Sequence, residues 1–490
     1  MARDQSCSSL LDYWITSRII FNHYFQNSLM GLPSKNKINI NNKFISVIGA
    51  GLSGSAAAKL AHFNGAKVFV SDPSTNHDIN MRAEELFKIG ISIEIGRQSD
   101  LIYEADLWIV SPGVAKDSSI ILNAKRKNIS IISEIEFASW FTKSPIIAVT
   151  GSNGKTTTVS VLVEMCQTED MHGIIAGNIG IPFSSSVLNE LQYPEPKTVF
   201  ILEISSFQME FIKYFHPHVS VYTNISPDHL DRHRTMDEYI AMKMRMVKNQ
   251  TKSDFIVYNY DDPIITESLK NHPSTKIPFS TNREDMTFRL QPNGICGPKL
   301  SPLIKADDVI IPGRHNLSNI LAASTAAHIM GISEKQIAKA IGSFRGVEHR
   351  MEYVLKINDV QYINDSKATN LDAVIVSIKS FIKPIVLILG GQNKGADFRL
   401  LLPHIKSSHV RVIISYGESG GEIVTALGDA VRSVQVTSLK SAVTTAQTLA
   451  IPGDIVLLSP GCASFDQFEN FEKRGTQFKT WVKRLKKIND

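Results

Sequence analysis

Thr150-Gly151-Ser152-Asn153-Gly154-Lys155-Thr156-Thr157 places two glycines, an amine and a run of hydroxyls in one short stretch. Glycine turns free backbone N–H groups to face phosphate oxygens, a lysine adds a point charge, and a threonine hydroxyl ligates Mg2+. Only Ser152 and Asn153 separate Gly151 from Gly154, so the loop is shorter than the generic nucleotide pattern. A strand–helix turn with an incidental Lys-Thr is the alternative. Further along, Thr198-Val-Phe-Ile-Leu-Glu203 ends an apolar run on a carboxylate. A carboxylate there is costly unless it meets a cation, and beside a phosphate loop Mg2+ is the expected one; satisfaction by local backbone is the other reading. Ser226-Pro-Asp228-His229-Leu-Asp231-Arg232-His233 gathers titratable groups that suit a metal or phosphate edge. Lys394, in Gly390-Gly-Gln-Asn-Lys394-Gly, and Lys367 suit an acidic substrate, or are surface lysines.

These groups need strand ends and helix starts to hold them. Pro145-Ile-Ile-Ala-Val149 reads as a buried strand before the loop, and Val159–Met165 as a helix after it. Upstream, Lys43–Ile48, Gly49-Ala-Gly51-Leu52-Ser53-Gly54, an Ala-rich helix over 55–64 and Lys67–Asp72 form a βαβ unit with a GxGxxG turn. Alone, that fingerprint suggests a dinucleotide, with Asp72 on a ribose hydroxyl. A different nucleoside diphosphate, or glycines serving only helix packing, fit the same residues. Further strands are expected at 105–110, 129–132 and 218–225, and residues 251–312 read as strand-like and broken by turns. Asn316 and Asn319 share one face of a helix beginning near Gly313, with Asn316 as a cap or a ligand contact. Strands at 360–364, 384–389, 410–415 and 454–458 each end in a polar or small-residue turn, which predicts another open α/β sheet.

Composition narrows the class. An apolar fraction of 43% and a charged fraction of 20% fit a globular chain of about three domains, and the net charge of +5 is too small and scattered for a nucleic-acid footprint. Cys7, Cys166, Cys296 and Cys462 are far apart, which argues against zinc and for a reducing compartment. No apolar run is long enough for a membrane span, so a cytoplasmic protein without stable membrane insertion is expected. A monomer is the expected state, on no motif of its own. Residues 1–42 read as an N-terminal extension of unknown role, either an amphipathic surface helix or, in the favoured reading, a dispensable extension or an upstream start with Met30 as the true start. The expected domains are 43–144, 145–345 and 346–490.

Taken together, TGSNGKT, LEISSFQ with Glu203, SPDHLDRH with His229 and GRHNLSN resemble the ATP-dependent Mur ligases of peptidoglycan synthesis. The folylpolyglutamate synthetases are similar over the central region. Asn364-Asp-Ser-Lys-Ala-Thr-Asn370 and the stretch Leu458–Gly475 resemble the branch of the family that adds D-glutamate. The resemblance spans residues 43–485. It implies an α/β fold of three domains: a Rossmann-like N-terminal domain, a central P-loop ATPase-like parallel sheet and a Rossmann-like C-terminal domain. It implies UDP-MurNAc-L-Ala, D-glutamate and ATP as substrates, with two Mg2+ ions. Gly51, Leu52, Ser53 and Asp72 would hold the UDP portion rather than NAD, although Pro73 and Ser74 depart from the Thr and Arg that other members carry there. Gly151, Ser152, Asn153, Gly154, Lys155, Thr156, Thr157, Asn316, Arg350 and Asp365 would bind ATP. Thr156, Glu203, His229 and a carbamylated Lys243 would hold metal, with Lys155, His229 and Lys243 catalytic and Asn178 near the sugar-peptide carboxylate. Thr369, Lys394, Ser464 and Phe471 would form the D-glutamate site. A related ligase for another amino acid, an NAD-dependent oxidoreductase fused to an ATPase, and a non-catalytic nucleotide-binding module are the competing readings.

Overall fold

β-Branched apolar runs alternate with helices along the chain and assemble into three sheets dominated by parallel strands. The computed structural model describes residues 39–489 except 229, 300, 312 and 394. The proposed extension therefore lies, up to residue 38, outside the described residues, as do His229 and Lys394.

The first sheet holds β1 (Phe44–Ile48), β2 (Lys67–Asp72), β3 (Ser92–Ile95), β4 (Leu107–Val110) and β5 (Ser130–Ser133) in the order β3-β2-β1-β4-β5, all parallel. The order reverses between β1 and β4, which opens a crevice at their carboxyl ends. The second sheet holds β6 (Ile146–Thr150), β7 (His172–Gly177), β8 (Thr198–Glu203), β9 (Val219–Tyr222), β10 (Phe255–Asn259) and β11 (Thr275–Phe279) in the order β11-β10-β9-β6-β8-β7, again parallel. β6, β8 and β9 are buried along their whole length, as strands covered on both faces must be. β6 sits between β8 and β9, so the turns after these three strands meet at one edge.

One apolar cluster runs through both sheets, from Val47 and Ile109 to Phe183 and Phe200. Glu136, fully buried on the helix Glu134–Ser139, accepts backbone N–H groups of Lys213, Tyr214 and Phe215 and the Trp140 indole N–H, at 2.7–3.0 Å. A buried carboxylate is tolerated here because donors surround it.

A short antiparallel hairpin follows, β12 (Arg289–Gln291) with β13 (Gly294–Cys296). The chain divides into two compact units, one of residues to Leu303 with Ser318–Ala340, the other of Ile304–Leu317 with Ile341–Asp490. The second unit contains β14 (Ile304–Lys305) and the third sheet: β15 (Glu352–Ile357), β16 (Val360–Asn364), β17 (Ile385–Gly390), β18 (Val410–Tyr416), β19 (Arg432–Gln435) and β20 (Ile455–Leu458). Its order is β15-β16-β20-β17-β18-β19, parallel except for the β15–β16 hairpin.

Three local expectations are corrected. Residues 251–312 are not only strands and turns: Pro263–Leu269 is a helix, because Asp262 caps it by accepting the N–H groups of Ile264 and Ile265, and Pro263 suits its first turn. Asn316 does not cap its helix; it lies inside the first turn of Arg314–Ile329, which begins just after Gly313. The strand expected at 129–132 runs from Ser130 to Ser133. Among the described residues no helix is long and apolar enough to cross a membrane.

Candidate functional site

The loop after β6 needs its glycines. Gly154 has φ +84°, and a Cβ there would meet Asn319 Oδ1 at 2.2 Å. A Cβ on Gly151 would meet Thr223 Oγ1 at 2.0 Å. With side chains excluded, the turn nests against the end of β9: the Ser152 N–H donates to Asn224 O at 2.8 Å and the Asn153 N–H to Asn224 Oδ1 at 2.9 Å. The Asn224 amide returns a bond to Asn153 O at 3.0 Å. Ser152 Oγ donates to Ser226 O at 2.8 Å and lies 3.0 Å from the Tyr239 hydroxyl. Lys155 opens the helix Lys155–Met165, and its ammonium bonds the carbonyls of Gly151 and Ser152, both at 2.8 Å. Thr156 and Thr157 follow as buried residues of that helix's first turn.

Glu203 ends β8 beside this loop and is 2% exposed. Thr156 Oγ1 donates to its Oε2, and Asn178 Nδ2 to its Oε1, each at 2.8 Å. Both partners are neutral, and among the described residues no cation lies within ion-pair distance of this carboxylate. A buried, unpaired carboxylate next to a threonine hydroxyl is an all-oxygen donor set that fits a hard divalent cation. Among the described residues no cluster of three or more His, Cys, Asp or Glu forms a metal site.

Lys243 comes from the helix Met236–Met244, whose cap is Thr235, accepting the Glu238 N–H. It is 2% exposed, lies over the Tyr239 ring at 4.6 Å, and donates to Gly151 O at 2.8 Å. Burial, reinforced by the Lys155 charge, brings its ammonium down to about 7; Asp228 and Glu203 pull the other way. The sequence-expected residues Lys155, Thr156, Asn178, Glu203 and Lys243 thus gather at one sheet edge.

At the crevice of the first sheet, a cavity of about 770 Å3 is lined by Gly51, Leu52 and Ser53, by Asp72, and by Ser111 to Ala115. Gly51 caps the helix Leu52–Phe63, so the positive end of that helix faces the cavity. Asp72 holds the glycine turn: its two oxygens accept the Ala50 N–H at 2.7 Å and the Ser74 N–H at 2.8 Å.

In the second unit, the turn after β16 meets the segment after β20. The Asp365 N–H donates to Leu458 O and the Gly461 N–H to Ala368 O, both at 2.8 Å, and Ser366 Oγ donates to Phe471 O at 2.8 Å. Thr369, Ser464 and Phe471 are therefore brought to one edge. Asp365 is buried, accepts from Ser459 Oγ at 2.9 Å and also from Ser377, and burial pushes its carboxyl up to about 6. Asn316 adjoins His315, whose imidazole is lowered by burial and by the Arg350 charge. Arg474, fully buried, bonds Ser366 and Cys462 O at 2.8–3.1 Å.

Sequence reasoning missed Asn224, Arg82, Ser111 and the role of Arg232. Arg232 chelates Glu210 at 2.8 and 3.1 Å and bonds the carbonyls of Pro112 and Val114, both at 3.1 Å, in the cavity wall. Asn224 was legible as the end of a strand; its adjacency to the loop needed the strand order.

Three family models match the chain: the Mur ligase MurD-like N-terminal domain over residues 43–133, the Mur ligase middle domain over 149–327, and the Mur ligase glutamate ligase domain over 349–462. The UDP-N-acetylmuramoylalanine–D-glutamate ligase of Christiangramia forsetii is 40% identical over 452 residues, covering 90% of this chain and 100% of that protein. The enzyme of the same name from Pelotomaculum thermopropionicum is 40% identical over 454 residues, covering 91% and 98%. Among solved structures, the UDP-N-acetylmuramate-alanine ligase MurC of Thermotoga maritima has a TM-score of 0.53 at 18% identity, covering 91% of this chain and 100% of that one. MurF of Acinetobacter baumannii has a TM-score of 0.53 at 15% identity, covering 95% and 98%. These two likenesses concern the fold, whereas the sequence identity along nine-tenths of the chain decides the family: this chain belongs to the Mur ligases, among the UDP-N-acetylmuramoylalanine–D-glutamate ligases.

Proposed function

We propose that this chain is an ATP-dependent ligase that joins D-glutamate to UDP-N-acetylmuramoyl-L-alanine in the cytoplasm, as a monomer. The observation that carries the reading is the buried Glu203 carboxylate, met by Thr156 and Asn178 beneath a phosphate loop, in a chain 40% identical to ligases of that name. The corresponding domains are 43–144 for the UDP substrate, 145–345 for ATP and 346–490 for the amino acid.

A carboxylate is a poor electrophile at neutral pH. Transfer of the ATP γ-phosphoryl group makes it an acyl phosphate; the glutamate amine then adds, and phosphate leaves from the tetrahedral intermediate. The loop Gly151-Ser152-Asn153-Gly154, shaped by the Ser152 and Asn153 N–H bonds to Asn224, and the start of the helix Lys155–Met165 cradle the triphosphate, and Lys155 moves from the loop carbonyls onto it. Thr157 supports that helix start, while Asn316, Arg350 and Asp365 hold the rest of ATP. Thr156 and Glu203 would hold one Mg2+, which supplies charge neutralisation to the phosphates. A second ion would sit at His229 and a carbamylated Lys243, with Asn178 near the substrate carboxylate. Gly51, Leu52, Ser53 and Asp72 serve the UDP end. Lys394, with Thr369, Ser464 and Phe471, receives D-glutamate.

The test is phosphate release measured with each substrate omitted in turn. Release that requires ATP, UDP-MurNAc-L-Ala and D-glutamate together is expected. Equal turnover with another amino acid would point to a related ligase, and release without any acceptor to a simple nucleotidase.

A further inference from the structure

The helix His77–Lys88 turns Ile79, Ala83 and Leu86 inward, each at most 7% exposed. Arg82 lies on the same face, three residues from Ile79, where an amphipathic helix would carry an apolar residue. Its side chain is only 20% exposed. It pairs with Asp78 at 3.9 Å, a carboxylate 69% exposed to water, and its charge also acts on the solvated Glu85. A guanidinium offers five N–H donors in a fixed fork, and a long contact to one solvated acid with the field of another leaves most of them unused. Burying such a group is costly unless something anionic meets it.

The surroundings identify what that is. Arg82 lines the cavity of about 770 Å3 at the crevice of the first sheet, and also a neighbouring one of about 360 Å3 lined by Asn76 to Ile79. Among the described residues it is the one cationic side chain in the wall of the larger cavity. The one acidic side chain there among the described residues, Asp72, is engaged on both oxygens by backbone N–H groups. The rest of the wall is glycine, proline, hydroxyl, amide and apolar groups, with the N-terminus of the helix Leu52–Phe63 facing in. A nucleoside diphosphate brings two or more negative charges, more than one helix terminus neutralises.

We propose that Arg82 is the diphosphate-binding residue of this cavity, pairing its fork with phosphate oxygens while the helix terminus at Gly51 serves the same group from the other side. The proposal rests on the reading of this cavity as the UDP site.

Direct binding of UDP and of uridine to the full-length protein, measured by calorimetry and ligand-observed NMR, tests it. Arg82→Ala is expected to weaken UDP by at least about tenfold and to leave uridine within twofold, because a charge-assisted contact to phosphate is lost. Arg82→Lys should recover part of the UDP affinity, and thermal melting should show that both variants stay folded. Unchanged UDP affinity in folded Arg82→Ala overturns the proposal, as does an equal loss for UDP and uridine. Failure of the unsubstituted protein to bind UDP would instead remove the reading of the cavity itself.

Discussion

Lys155 and Lys243 donate to the same oxygen, the Gly151 carbonyl, each at 2.8 Å. They come from different helices, and a neutral carbonyl supplies no counter-charge to either ammonium. At an effective dielectric of about 20, two unit charges this close repel by on the order of 3 kcal/mol. The arrangement is relieved if Lys243 gives up its proton, and burial already favours that.

Lys243→Ala is therefore expected to lose most ligase activity while ATP affinity changes little. If the lysine acts as a carbamate, adding a short carboxylic acid to the variant should restore part of the rate by supplying the missing oxygens. Full activity without rescue would refute the role, and a variant that no acid rescues would count against the carbamate. The pH dependence has a definite sign. The folded state lowers Lys243 from 10.5 to about 7, so between those values the unfolded chain holds the extra proton. This residue's unfavourable contribution to stability is thus full below pH 7 and fades as pH rises toward 10.5. Denaturant titrations should show a smaller gain from pH 7 to 9 in Lys243→Met than in the native sequence.

Arg232→Ala should destabilise the first unit by roughly 3–5 kcal/mol, because it leaves Glu210, whose side chain is 1% exposed, as a buried unpaired charge. The combined Arg232→Ala, Glu210→Gln variant should recover part of that loss. Since Arg232 also ties Pro112 and Val114, the single variant should raise the KM for the UDP substrate more than that for ATP. A melting curve unchanged from the native protein would contradict this account.

Lys394→Ala should raise the KM for D-glutamate roughly 10–100-fold, the value of one charge-assisted contact, and leave that for ATP near its native level. Equal increases for both would assign Lys394 to another role.

A chain beginning at Met30 should keep its ligase activity, since no motif precedes that residue and the first family match begins at residue 43. Specific activity measured beside the full chain checks it; a folded but inactive shortened protein would sink the idea.

Much of this was legible beforehand because the decisive signals are local. Gly151 and Gly154 announce a turn, Glu203 stands out as a charge ending an apolar run, and the spacing from Tyr239 to Lys243 fits one helix turn. Strand order is not local. Nothing near Asn224 says that β9 lies beside β6, and nothing around Arg232 says that it reaches the carbonyls of Pro112 and Val114. Edge strands also escaped: β15 pairs antiparallel through a turn at Asn358-Asp359, both at positive φ, and its half-buried residues carry a weak pattern. The helix at Pro263–Leu269 is hidden among the turns of 251–312 because proline has opposite meanings inside a helix and at its first turn.

The contacts of Glu136 limit how this protein can be recombined. Its carboxylate takes its donors from Lys213, Tyr214 and Phe215, across the junction between the first two sheets. Cutting the gene between β5 and β6 would leave a buried acceptor on one fragment and its three backbone donors on the other, of which the Phe215 N–H is buried in the intact fold. A chimera that imports the first sheet from a relative should therefore work only if it brings an acid at position 136, or if the loop at 213–215 travels with it. The seam visible in the linear order of the chain is not a seam in its hydrogen bonding.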